Sequence, residues 1–270
     1  MRTALTIAGS DPSGGAGIQA DLKTFAAFGV YGASAITAIT VQSTKGVDGV
    51  APLSADLVTA QIEALAGDLD IAATKIGMLA TSAIVEAVAA AIEELDLPLV
   101  VLDPVLVSSS GSRLLDDDGV AALREALIPL ARVVTPNIPE AEALSGVRIT
   151  TPADARAAAR RIQEMGAAAV IITGGHGAAA MADGGTVDDL VLDGDTFVEY
   201  RVARVDSPHT HGTGCTFASA VAAGLALGHS LADAAARAQR YVAGAIAHAP
   251  GIGHGRGPLD HFWESRSRVL

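Results

Sequence analysis

His209-Thr210-His211-Gly212-Thr213-Gly214-Cys215-Thr216 is the stretch whose residue types could do chemistry. It runs into an Ala-rich apolar segment, Phe217 to Leu227, that reads as a helix. Two glycines one residue apart open a tight turn. The helix start behind them presents backbone N–H groups without internal partners and the positive end of the helix dipole. Glycine lets those groups approach an anion closely, so the stretch reads as a cradle for a phosphate or oxyanion. Cys215 stands at its lip. A thiol at a helix N-terminus is expected to have its pKa pulled down, making it a usable base or nucleophile. A plain glycine turn with Cys215 as a small core residue is the alternative on these residues alone.

Other polar residues stand where strands are expected to end. Gln42 closes the apolar run Gly32 to Val41 and can donate and accept at once, as the edge of a heterocycle requires; a solvated strand end is equally compatible. Asp103 follows the run Pro98 to Leu102. Asn137 and Glu140, three apart at a helix start, would share one face. They could orient water on Mg2+, or form a helix cap. A glycine-rich loop, Gly9 to Gly17, lacks the Lys-Ser or Lys-Thr of a P-loop and the spacing of a dinucleotide fingerprint. It reads as a tight strand–helix turn or as a loop over a small molecule. The triplet Asp116 to Asp118 suits a helix start and is not read as a metal site.

The elements that must hold these residues alternate. Strands are expected at Ala4–Ala8, Gly32–Val41, Val47–Leu53 (an edge), Ala72–Ile76, Pro98–Leu102, Arg132–Thr135 and Ala168–Thr173. A hairpin is expected from Val187–Leu192 and Thr196–Ala203 about Asp193-Gly194-Asp195. Helices are expected after the first glycine loop (with Ile18, Leu22, Phe25 and Ala26 on one face) and at Asp56–Leu65, Thr81–Leu95, Pro152–Met165 and Leu231–His248. A last turn is expected at Leu259–Trp263. Val107 to Arg113, small and polar, reads as a candidate lid. The alternation predicts one doubly wound α/β domain over 1–270, with its site along one edge of the sheet.

The 270 residues are 50% hydrophobic but only 3% aromatic, so the core is built from small side chains. A net charge of −12 argues against nucleic-acid and anionic-membrane partners. One cysteine forms no internal disulfide, which fits a reducing cytoplasm. The opening residues do not read as a signal peptide, and no apolar run is long enough to span a bilayer.

The segments TIAGSDPSGGAGIQADLKTF, TKIGML, LDPV, TPNIPEA, GGH and HTHGTGCTF, in this order over nearly the whole chain, resemble the hydroxymethylpyrimidine and phosphomethylpyrimidine kinases of the ribokinase-like superfamily. The resemblance implies a three-layer α/β/α fold with a mostly parallel central sheet flanked by helices. It implies ATP and Mg2+, and two phosphorylations of 4-amino-5-hydroxymethyl-2-methylpyrimidine, to the monophosphate and then the diphosphate, in thiamine biosynthesis. By the same resemblance Gln42 would bond the pyrimidine edge, and Gly9, Asp21, Met78 and Val105 would line its pocket. Gly212, Thr213 and Gly214 would form the anion hole. Cys215 would stand where most of the superfamily has an aspartate base. Thr173, Gly175 and Asn137 would bind ATP, and Asp103 and Glu140 the metal. Thr173 departs from the lysine that many members carry there. A homodimer is implied as well. Two other functions compete: a pyridoxal kinase of the same superfamily, and a non-catalytic pyrimidine-binding protein. An NAD-dependent oxidoreductase is disfavoured by the spacing of the first glycine loop.

Overall fold

The computed structural model describes residues 1–108, 111–174 and 185–266. In chain order these form β1 (Thr3–Ser10), α1 (Gly17–Ala27), β2 (Tyr31–Ser43), β3 (Gly46–Pro52), α2 (Ala55–Ala66), β4 (Ile71–Ile76), α3 (Ser82–Glu94), β5 (Val100–Leu102) and α4 (Asp117–Ala122). There follow β6 (Val133–Val134), α5 (Ile138–Ser145), α6 (Pro152–Gln163), β7 (Ala169–Ile172), β8 (Thr186–Asp193), β9 (Thr196–Ala203), α7 (Thr213–Ala226), α8 (Leu231–Ala247) and α9 (Trp263–Arg266). The strands form a nine-stranded sheet in the order β3-β2-β1-β4-β5-β6-β7-β8-β9. From β2 to β7 neighbours run parallel; β3, β8 and β9 join antiparallel.

A parallel strand covered on both faces is apolar on both, and β1 is buried through its middle accordingly. Its side chains alternate between two cores. Leu5 and Ile7 pack with α2, α3, α5 and α6 on one face. Ala4 joins Phe25 of α1 and the apolar residues of α7 and α8 on the other. This is the expected three-layer arrangement. α7 is buried along its length from Thr216 to Ala226. Small residues allow that: a Cβ added at Gly224 would lie 2.8 Å from Ala234 Cβ, so α7 and α8 approach as closely as glycine permits. Local signals fix the helix starts. Thr81 Oγ1 accepts from Ile84 N–H to open α3, and Thr151 with Asp154 forms a capping box on α6.

Several bounds differ from expectation. The helix behind the cradle begins at Thr213 rather than after Cys215, so Thr213, Gly214 and Cys215 are its first turn. The strand expected over Arg132–Thr135 keeps only Val133–Val134, and the last helical turn starts at Trp263. In α1, Ala26 is exposed, whereas Ile18, Ala20, Asp21, Thr24 and Phe25 are buried. The expected face holds at Ile18 and Phe25, with Leu22 half-buried, and fails at Ala26, because the polar Asp21 and Thr24 join the buried side. In the 107–113 loop Val107 and Arg113 pair as an antiparallel bridge. Residues 109 and 110 of this expected lid lie outside the described residues.

Candidate active site

The carboxyl ends of β1, β4, β5, β6 and β7 open on a cavity of about 850 Å³, where an open α/β sheet holds its ligand. α7 aims its N-terminus into it. Gly212, the residue before the helix, has φ 83. A Cβ there would sit 1.8 Å from the Gly15 carbonyl oxygen. Only glycine lets the late loop press against the early one. Gly214 differs: its added Cβ would meet nothing nearer than the Asp103 carboxylate at 3.9 Å, so this part of the helix start faces open cavity.

The early loop is organised by Asp11. Its carboxylate accepts from the backbone N–H of Ser13 (2.9 Å), Gly15 (3.2 Å) and Ala16 (2.8 Å), and from His211 Nε2 (2.8 Å). Burial pushes this carboxyl up, but the bonds from His211 and Ser13 outweigh it and hold it at about 2. Gln42 stands next in line. Its Nε2 lies 3.2 Å from His211 Nε2, and its Oε1 accepts from Thr40 Oγ1 at 3.2 Å.

Below the cradle lies a buried charge cluster. Lys75 is fully buried; its ammonium donates to both Asp21 oxygens at 3.0 Å and lies 3.8 Å from Asp103 Oδ2. Asp21 also accepts from Thr6 Oγ1 (2.6 Å) and Ser219 Oγ (2.7 Å). Burial drives the Asp103 carboxyl up to about 6 against the pull of Lys75. Burial and the Asp103 charge drive Glu140 to about 8. Cys215 is half-buried, and its thiol lies within the electrostatic reach of the Asp103 carboxylate. Enclosure of the sulfur pushes its pKa up to about 12 although Lys75 pulls the other way. The lowered value expected from the helix start is therefore wrong: loss of water around the sulfur, with two carboxylates nearby, outweighs the dipole and the ammonium.

A family profile described as phosphomethylpyrimidine kinase matches residues 11–260. The chain belongs to this family. A relative from Rhizobium meliloti, named hydroxymethylpyrimidine/phosphomethylpyrimidine kinase, is 49% identical over 262 residues, 96% of each chain. Among solved structures, the ADP complex of Bacillus subtilis pyridoxal kinase superposes with a TM-score of 0.88 at 39% identity, covering the whole of both chains. Phosphomethylpyrimidine kinase from Clostridium difficile gives 0.78 at 40% identity, covering 90% of this chain and 98% of that one.

This kinase brings most of the expected residues to one place. Gly9, Gln42, Met78, Asp103, Val105, Asn137, Glu140, Thr173 and Gly212 to Cys215 all line the cavity. Asn137 and Thr173 pair as a bridge between neighbouring strand ends. Asn137 and Glu140 form a capping box, each side chain accepting the other's backbone N–H at 3.0 Å, while both also face the cavity. The cap and the site thus coexist. Asp21 is a correction. It is fully buried and absent from the cavity wall, because Lys75, Thr6 and Ser219 hold it beneath the floor. Gly175 lies outside the described residues. Sequence reasoning missed Asp11, Lys75, His211, Asp189 and Gln239, all on the wall. For Lys75 a signal existed: a lysine inside the apolar strand run Ala72–Ile76 needs a buried partner.

Proposed function

We propose that this enzyme transfers the γ-phosphoryl group of ATP to the hydroxymethyl group of 4-amino-5-hydroxymethyl-2-methylpyrimidine and then to the resulting monophosphate, in thiamine biosynthesis. The observation that carries this is one cavity holding an amide suited to a heterocycle edge (Gln42), a thiol and a carboxylate on the same wall (Cys215, Asp103) and a glycine-built helix start (Gly212 to Cys215). Gln42 binds the ring edge, and Gly9, Met78 and Val105 enclose it. Cys215, once its thiol proton has left to the water of the cavity, takes the proton of the substrate hydroxyl. The freed oxygen forms its bond to phosphorus while the bond to ADP breaks. Backbone N–H groups at the start of α7 hold the charge of the moving phosphoryl group, the largest contribution a protein makes to such a transfer. Thr173, Gly175 and Asn137 hold the nucleotide phosphates.

The donor set fits Mg2+. Asp103 Oδ2 is buried without a hydrogen-bond partner, and the Asp103 and Glu140 carboxyls are both driven up by burial, so a cation there relieves both. Among the described residues no cluster of three or more His, Cys, Asp or Glu forms a metal cage. That suits an ion which keeps waters and takes its other ligands from phosphates. When bound, the ion would be held by Asp103 and Glu140 and would neutralise negative charge on the nucleotide.

The proposal extends to one kinase domain over 1–270, supported by the unbroken sheet, to a homodimer of the 27.1 kDa chain and to a cytoplasmic location. Among the described residues no helix is long and apolar enough to cross a membrane. A second function, phosphorylation of pyridoxal, is favoured by the likeness to the Bacillus subtilis pyridoxal kinase. A coupled ADP-release assay with Mg-ATP, the two alcohols in parallel and product masses read, separates them. A pyrimidine diphosphate is the expected product. A higher kcat/KM for pyridoxal reverses the order, and no turnover of either by folded protein removes both.

A further inference from the structure

One stretch of the cavity wall takes no part in the chemistry above. β8, β9 and α8 form it, with Val187, Val202, Val242 and Ile246 as an apolar surface and Asp189 and Gln239 as its polar side chains. Asp189 is 4% exposed and Gln239 6%. Both carboxylate oxygens of Asp189 are committed: Oδ1 accepts the Gly174 N–H at 2.9 Å, and Oδ2 accepts from Gln239 Nε2 at 2.9 Å. Gln239 Nε2 also donates to the Tyr200 carbonyl at 3.0 Å. One carboxylate therefore ties the end of β7 to α8 and, through Gln239, to β9.

Gly174 is gripped a second way. A Cβ there would lie 2.2 Å from the Asp188 carbonyl oxygen, so its backbone is pressed onto β8. On its other side Thr173 donates its N–H to the Pro136 carbonyl at 2.9 Å, beside Asn137. The Thr173–Gly174 segment is thus clamped between the end of β6 and Asp189. Thr173 carries no charge that can reach towards a phosphate, so what this segment offers a nucleotide depends on where its backbone sits.

We infer that Asp189 is a positioning residue for the nucleotide, holding Thr173–Gly174 and the apolar face of α8 at the separation that ATP requires. This rests on the kinase function proposed above. The assignment has a specific chemical consequence. Asparagine has nearly the shape of aspartate, but at 189 its NH2 group must face either the Gly174 N–H, donor against donor, or Gln239, which can accept from it only by turning its own amide and giving up its bond to the Tyr200 carbonyl. Only an acceptor on both sides satisfies the clamp.

The test is steady-state kinetics together with calorimetric titration of ADP on the full chain. Asp189→Asn should raise the KM for ATP and the Kd for ADP about tenfold, the effect of losing one buried hydrogen bond. The kcat at saturating ATP and the KM for the pyrimidine should stay within about twofold of the parent. Unchanged ADP affinity, or an equal rise in both KM values, overturns the assignment, since general loosening would affect both ligands alike. Should Asp189→Asn not fold, Gln239→Met decides: it removes the α8 arm alone, and an ADP Kd at least about threefold above the parent supports the clamp while an unchanged one overturns it. ADP binding needs no turnover. A parent that binds ADP but phosphorylates neither alcohol therefore ends the kinase function and leaves the clamp still measurable.

Discussion

The thiol of Cys215 lies between opposed fields. The Lys75 ammonium and the Gly17 backbone favour the thiolate, while enclosure and the carboxylates of Asp103 and Asp21 oppose it. Enclosure is the largest influence, so the free enzyme keeps a protonated thiol. Cys215→Ala removes the proton acceptor and is expected to lower kcat about 10²-fold or more while the pyrimidine KM changes little, read by steady-state kinetics. A variant within twofold of the parent takes Cys215 out of the proton path. Lys75 belongs to stability first. Lys75→Met leaves the fully buried Asp21 carboxylate unpaired, and urea denaturation should record a loss of about 3–5 kcal/mol. Cradle, amide and cap residues were legible because their types and local spacing carry the chemistry. Asp21 was misread because its partner is 54 positions away, on β4, a relation that no helical period displays.

At the scale of elements, the start of α7 has two glycines with different duties, Gly212 before the helix and Gly214 in its first turn. Gly212→Ala must adopt φ 83 and drive a Cβ into the Gly15 carbonyl. The left-handed backbone alone costs about 1–2 kcal/mol, and the two glycine loops must part. Both thermal stability and kcat should fall. Gly214→Ala meets open space and gains helix propensity, so its Tm should equal or exceed the parent's. Its methyl group projects into the phosphoryl cradle, so kcat should still fall. Equal losses of Tm in the two variants would contradict this division. The hairpin β8–β9 was readable from its turn, where Gly194 takes φ 57, and α3 from its threonine cap. The short strands β5 and β6 were readable in place but not in length, because only part of each apolar run finds a neighbour to pair with, the last three residues for β5 and the middle two for β6.

For the whole molecule, the segment after α8 folds back against α7. His261 is buried there with its Nε2 3.1 Å from Thr216 Oγ1. Burial lowers its pKa from 6.5 to about 4. The unfolded chain takes up this proton near pH 6.5 and the folded one only near 4, so acid favours unfolding across that window. His261 should contribute about 2–3 kcal/mol less stability at pH 4.5 than at pH 7. His261→Gln should lose that dependence, measured as the difference between parent and variant in urea unfolding at the two values. Taking the difference matters, because the raised carboxyls of Asp103, Glu140 and Asp189 respond to acid in the opposite sense. Strand order was not legible: the alternation predicts a parallel sheet, but nothing local puts the first strand inside it, between β2 and β4. That interior place has a consequence for synthesis. Asp11 meets His211 across 200 positions of chain, and Gly15 presses on Gly212. While a ribosome is still making the chain, its first loop waits without the wall it closes against. The phosphoryl cradle comes into being only after the segment around Cys215 has left the exit tunnel, so a nascent chain short of that point has no site with which to consume ATP.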